Sequence, residues 1–258
     1  MKLFRTLTLH VFLLHFLIPQ LSQSQDNPEF ARAVRLQEDG RWEDAFPVIK
    51  GLLKADSSNS EFLWRTSFLY SQLGVRQNTE TNKQIWYKKA LYLAQKAVSV
   101  APKSANCHYA YALALGRINE NASSKTKIDN AKLIKTEAEL AIRYDPKLPG
   151  PYHILGRWHR IVADFNAFER TMISAIFGSL PGGTYEDAIK NFEKAITLEP
   201  QAGIHYYELA VTLEERDNKG DREKAIQWLN KAIQLPVRTE ADREHRSLCN
   251  NLLHNLKS

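Results

Sequence analysis

One phrase recurs along this chain of 258 residues, and it restricts the possible folds more than any other feature. A small residue, six others, Ala, four others and Pro appear as Ala90…Ala97…Pro102 and Ala188…Ala195…Pro200. Ile134…Ala141…Pro146 carries a larger first member, and Ala225…Ala232…Pro236 has a shorter tail. Positions seven apart share one helix face, and only a small side chain there lets a neighbouring helix approach closely. The Pro ends the helix, since it lacks the N–H that would continue it. Each phrase therefore reads as the closing helix of a hairpin, and repetition of hairpins reads as a solenoid.

The expected fold is all-α, a tetratricopeptide-like helical-hairpin solenoid with an inserted helix and a C-terminal capping helix. Five hairpins can be placed. The first pairs a stripe through Phe30, Ala33 and Leu36 with a helix over 42–53, turning at Asp39-Gly40, with Pro47 near the second helix's start. The others pair 61–73 with 84–100, 105–118 with 130–144, a helix opened by Tyr152, Leu155 and Gly156 with one through Tyr185–Ala195, and 204–216 with 222–235. Residues 74–82 and 119–125 are polar and read as loops. Thr184 with Asp187 makes a capping-box-like start. A last helix from Thr239 and Asp242 to Leu256 reads as the cap over the final repeat.

Residues 161–183 interrupt this regularity. A tetratricopeptide hairpin turns within a few residues, whereas this connection runs to roughly twenty, far beyond the usual helix–helix link. Ile161, Phe165, Phe168, Met172 and Ile176 recur at steps of three or four, which predicts an apolar helix face ended by Gly178 and Pro181-Gly182-Gly183. That face either packs on neighbouring repeats or forms a lid, with Phe165, Phe168 and Met172 as its apolar residues.

The N-terminus reads as separate from the fold. Lys2 and Arg5 precede an apolar run from Leu7 to Ile18, Pro19 breaks it, and a polar tail follows to Gln25. This is the order of a secretory signal peptide, with cleavage expected after Ser24, leaving 25–258 as the repeat domain. The run is short for a spanning helix, which needs ~20 apolar residues, so no transmembrane segment is expected after cleavage. The implied location is exported, periplasmic or secreted. Loss of Lys2 and Arg5 leaves 33 basic against 29 acidic residues, interspersed throughout, which argues against a nucleic-acid face. Cys107 and Cys249, the only two cysteines, lie in distant repeats and read as buried, unpaired thiols.

Chemistry is scarce. The six histidines after residue 24 form no HExxH pair, and neither a glycine-rich phosphate loop nor a G-x-S-x-G elbow occurs. No catalytic residue, metal ligand or cofactor is expected. The first helix of each hairpin should line a concave groove, presenting Asn106, Tyr109, Leu113 and Arg117, then His153, Arg157 and Arg160, then Ile204, Tyr207 and Val211. His153, Arg157 and Arg160 stand at i, i+4 and i+7 on one face. Beside tyrosines they suit an acidic peptide or a chain-terminal carboxylate, which Arg can hold bidentately. Alternatively the arginines pair with Asp164, Glu169 or other acids of the insertion and only brace it.

A narrower likeness rests on ordered segments: Cys107-His108-Tyr109-Ala110-Tyr111-Ala112-Leu113-Ala114-Leu115-Gly116, Asp145-Pro146, and Leu155-Gly156-Arg157-Trp158-His159. Phe168-Glu169-Arg170, Phe177-Gly178-Ser179-Leu180-Pro181 and Thr184-Tyr185-Glu186-Asp187-Ala188 follow, with Trp228-Leu229, Lys231-Ala232 and Leu235-Pro236 near the end. Over roughly 64–253 the chain resembles the regulator of microtubule dynamics family, as a bacterial, exported relative. The resemblance implies a tetratricopeptide-like domain with this inserted helix and no enzymatic activity. It also implies a microtubule- or tubulin-associated regulator, as in animal members. The residues themselves point first to a non-enzymatic adaptor or scaffold binding a protein or peptide, and second to a peripheral membrane protein using the inserted helix.

Overall fold

The computed structural model describes residues 27–119, 123–178 and 182–258, and only the backbone of 124, 176 and 177. The leader reading of 1–24 lies outside the described residues, as do 120–122 and 179–181 within two connections, and the side chains of Ile176 and Phe177. Twelve helices and no strand occur among the described residues: α1 (Pro28–Glu38), α2 (Trp42–Ala55), α3 (Ser60–Gly74), α4 (Glu80–Val100), α5 (Ala105–Asn119) and α6 (Ser124–Tyr144). Then come α7 (Pro149–Asp164), α8 (Ala167–Phe177), α9 (Tyr185–Leu198), α10 (Gly203–Arg216), α11 (Asp221–Ile233) and α12 (Glu240–Lys257). None of them is long and apolar enough to cross a membrane.

The phrases do what their spacing implies. Ala90, Ala97, Ala141, Ala188, Ala195 and Ala225 have no exposed surface at all. Helices pair as α1/α2, α3/α4, α5/α6, α7/α9 and α10/α11, while α3, α5, α7 and α10 also pack side by side down the stack. Pro102, Pro146 and Pro200 each stand two residues past the last helical residue. A repeated clasp then secures each turn. The side chain six residues after the Pro returns to its carbonyl: Nε2 of His108 to Pro102 (2.9 Å), and the hydroxyls of Tyr152 to Pro146 (3.1 Å) and Tyr206 to Pro200 (3.0 Å). His108 is buried, and its Nδ1 meets Glu137 Oε2 of α6 at 2.6 Å, so the clasp also ties the third hairpin together.

Capping side chains explain where helices begin. Asn27, Asn59, Thr79, Ser123, Thr184 and Thr239 each accept first-turn N–H groups. Thr79 and Ser123 start α4 and α6 earlier than expected, at Glu80 and Ser124 instead of 84 and 130. Polarity alone marks those turns as loop. Pro47 stands in the second turn of α2 and not in its first, so it removes one helical hydrogen bond.

The insertion also departs from expectation. Residues 161–164 continue α7, and a new helix starts at Ala167 because Asn166 and Glu169 close a capping box. Arg170 folds back and donates to the carbonyls of Val162, Ala163 and Phe165, satisfying the end of α7. Two members of the apolar stripe do not pack on neighbouring repeats: Phe168 is 71% and Met172 45% exposed. Phe165, at the break, is half-buried.

α12 covers the last repeat, with Cys249, Leu253 and Leu256 joining the apolar cluster of α9, α10 and α11; Leu248 remains exposed. The start of α12 also reaches the first hairpin. Gly40 has φ +70°, and a Cβ there would lie 2.6 Å from the Thr239 methyl. Arg76 pairs with Glu43 and, at 3.6 Å, with Glu244 of α12. Cys107 and Cys249 are buried free thiols, with burial raising each to about 11.

Two glycines test the packing. A Cβ at Gly156 would sit 2.7 Å from the fully buried Phe192 ring, whereas one at Gly116 meets nothing within 4 Å. Urea unfolding should show Gly156→Ala losing about 1–3 kcal/mol and Gly116→Ala gaining ~0.5–1 kcal/mol. Equal stability of the two would contradict this packing.

Candidate functional site

The first helices of the last three full hairpins bring a titratable cluster together. From α5 come Tyr109 and Arg117, and from α7 His153, Arg157 and Arg160. α10 adds His205 and Glu208, the turn before it Glu199, and α12 His245. His153 Nδ1 stands 2.8 Å from His205 Nδ1, and His205 Nε2 lies 3.0 Å from Glu199 Oε2. Two N–H groups cannot face each other at that distance, so at least one Nδ1 carries no proton. Burial, then the charges of His205, Arg157, Arg117 and His245, pushes His153 well below its ordinary value. Burial also lowers His245 against a weaker upward pull from Asp242.

The arginines divide. Arg160 is nearly buried and holds Glu208 at 2.8 Å and Glu215 at 3.5 Å. Arg157, with 41% of its side chain exposed, makes a looser 3.6 Å approach to Glu208. Arg160 is therefore a brace between α7 and α10. The bracing acids come from α10 and not, as the sequence alternative had it, from the insertion: Glu169 is spent in its capping box, and Asp164 meets the Tyr185 hydroxyl at 3.4 Å. Burial raises the Glu215 carboxyl although Arg160 pulls it down.

Tyr109 packs beside Phe68 and over Gly150, where a Cβ would collide with its ring at 2.4 Å. Burial raises its phenol, Glu199 adds to this, and Arg117 opposes it. Arg117 donates to Gln72 Oε1 at 3.3 Å. Tyr207 is half-buried, packs against the last cluster and feels both Glu208 and Arg160. Asn106, Leu113, Ile204 and Val211 are half-buried on the same helices. Phe168 and Met172 present their surface to solvent. The sequence reading missed His205, Glu208, Glu199 and His245; an inward face on α10 displaced by one residue would have found the first two. Among the described residues no group of three or more His, Cys, Asp or Glu could hold a metal ion.

The family model described as Regulator of microtubule dynamics protein 1-3 matches residues 30–257. The chain belongs to that family. The match extends the sequence likeness to the first hairpin and the end of α12. Human Regulator of microtubule dynamics protein 2 is 28% identical over 228 residues, covering 87% of this chain and 54% of the relative. Cattle Regulator of microtubule dynamics protein 1 is 29% identical, covering 84% of this chain and 68% of the relative. The chain thus spans about half the length of the protein 2 relatives. In fold it is similar to a thermophilic TPR protein of Thermus thermophilus, at a TM-score of 0.61, 16% identity, 88% of this chain and 97% of the other.

The depressed histidines set a pH dependence. His153, His159 and His245 bind protons more weakly folded than unfolded. Their stabilising effect is whole above the unfolded value of ~6.5 and drains away as pH falls below it. Glu215, with its raised carboxyl, offsets part of this in more acid solution. Thermal melts should give a lower Tm at pH 5.5 than at 7.5, each kcal/mol lost being worth ~2–4 °C. His153→Gln should flatten the slope. A Tm that rises towards pH 5.5 would contradict the assignment.

Proposed function

We propose that this chain is a non-enzymatic adaptor that takes an acidic peptide segment or chain-terminal carboxylate on its inner face. The convergence of Tyr109, Arg117, His153 and Arg157 carries this reading. Arg157 is the donor most open to a ligand, because Glu208 approaches it only loosely and is committed to Arg160. Tyr109 and His153 supply flat surfaces and polar edges, while Arg160, held by two carboxylates, keeps α7 and α10 aligned. A preformed inner surface spares the site ordering entropy on binding. The fold and the family, in which the resemblance implies no catalysis, support an adaptor over an enzyme. Residues 1–24 are read as a cleaved export signal, which puts the adaptor in the periplasm or outside the cell.

A second reading has one observation in its favour. α8 leaves Phe168 and Met172 exposed. Such a helix can lie in a lipid interface, although Arg170 is withdrawn into the end of α7 and contributes no charge there.

Affinity capture from native extract, with mature chain as bait, separates these. A partner retained by the wild type and by Phe168→Glu but lost by a still-helical Arg157→Glu supports the inner-face adaptor. Capture unchanged by Arg157→Glu sinks it, and loss only in Phe168→Glu, with matching loss of vesicle flotation, favours the lipid reading. Recovery of tubulin would bring the role for which the relatives are named to this chain. The intact mass of the native protein reads the leader: a mass including residues 1–24 overturns export.

A further inference from the structure

The outer face carries a second feature that the inner site does not use. α2 and α4 both pack on α3, and between them runs a trough of about 740 Å³, within the ~300–1,000 Å³ typical of ligand pockets. Leu53 and Leu93 form apolar walls, Thr66 and Tyr70 of α3 lie along the floor, and Gly51 widens the opening, since nothing stands within 4 Å of where its Cβ would be. Its rim is cationic on both sides: Lys50 and Lys54 on α2, Lys88 and Lys89 on α4. No acidic side chain lines it.

Those four lysines are unusual for a helical surface. All are exposed, and no Asp or Glu stands three or four residues from any of them, the spacing that neutralises charge along a helix. Lys50 and Lys54 are one turn apart and repel. Lys50 and Lys89 instead lie over the rings of Phe46 and Tyr70, at 5.6 and 5.8 Å. The floor holds a second irregularity. Thr136, Thr171, Thr197 and Thr212 each return the hydroxyl to the carbonyl four residues back. The Thr66 hydroxyl has no hydrogen-bond partner, although the residue is only 1% exposed.

We propose that this trough binds an acidic peptide segment, whose carboxylates meet the lysines on both walls while one aromatic or aliphatic side chain enters between Tyr70 and Leu93. Charge complementarity fixes the sign of the ligand. The spread of lysines along two helices suits carboxylates distributed along a chain better than one compact anionic group. Thr66 argues in the same direction: an acyl chain would leave its hydroxyl unpaired, at a cost of ~1–3 kcal/mol, whereas a peptide brings amides and carboxylates. The site is independent of Arg157 and the inner face.

Fluorescence anisotropy with a fluorescein-labelled probe, Glu-Glu-Ala-Trp-Leu-Ala-Glu-Glu, tests this on the mature chain. The expected result is saturable binding that weakens about tenfold, or ~1.4 kcal/mol, in Lys50→Glu/Lys89→Glu. Similar weakening is expected in Gly51→Phe, which fills the trough without changing charge, and for a probe with Ala in place of Trp and Leu. With the inner face disabled by Arg157→Glu, Lys50→Glu/Lys89→Glu should still weaken the remaining binding about tenfold. The proposal is overturned by no binding, by binding unaffected in both trough variants, or by loss only in Arg157→Glu, which would move the peptide to the inner face. Displacement of the probe by phosphatidylserine vesicles held through the same lysines would overturn a peptide as the occupant. Should a variant melt early, a benzophenone-bearing probe on the wild-type chain reads the site directly. Adducts within 47–54 or 88–93 support it, and adducts confined elsewhere overturn it.

Discussion

The structure depends on contacts made by alanine. At Ala90, Ala97, Ala141, Ala188, Ala195 and Ala225 the methyl group is wholly buried, in helices that pair along the stack. A larger residue there would push the helices apart, and cores resist such overpacking by ~1–3 kcal/mol. Because each hairpin touches chiefly its neighbours, the cost of an error at one contact falls on the two hairpins that make it. The clasps from His108, Tyr152 and Tyr206 to the turn prolines fix the same spacing a second time. The 2.8 Å approaches of His153 to His205 and of Arg160 to Glu208 are consequences of that spacing.

The insertion shows how local such constraints are. α7 and α9 still pair as a hairpin although α8 and its flanking turns intervene. Lengthening a connection costs little, since loop-closure entropy grows only with the logarithm of length. What the insertion needs is a clean end to α7 and a clean start to α8. Arg170 supplies the first and the Asn166–Glu169 box the second. Neither requires α8 to bury its apolar side, so the exposure of Phe168 and Met172 carries no conflict with a stable repeat domain.

The sequence made the repeats legible because small residues at a fixed spacing leave few alternatives, and made the caps at Thr184 and Thr239 legible because their partners are three residues away. Thr79 and Ser123 were equally local, but polar neighbours hid them. The inner face was legible only to within one position. Counting back from the Ala–Pro phrases gives Ile204, Tyr207 and Val211 on α10, yet His205 and Glu208 make the contacts to α7. Long helical side chains lean towards the N-terminus, so a given spot is covered by a residue about one position later. Glu199 and His245 reach the cluster from other elements, and no spacing rule connects them to His153. The exposure of Phe168 and Met172 was hidden for a related reason: periodicity reveals that a helix has an apolar face, but not what meets it.

The return of α12 to the first hairpin bears on what the inner face can accept. An open solenoid can wrap a folded domain, but here Thr239 rests on Gly40, and Arg76 bridges Glu43 and Glu244. His245, carried on α12, is close enough to the cluster to depress His153. The last helix thus forms part of the site's boundary as well as the end of the stack. A boundary closed in this way admits a segment of chain more readily than a globular surface. The inner charges agree, since most are paired across helices and only Arg157 is substantially open. The outer trough presents four lysines with no acidic side chain in its lining. On the two proposals, the faces of one stack would therefore offer acidic ligands different terms: exchange with an internal carboxylate on the inside, and neutralisation of lysine charge on the outside.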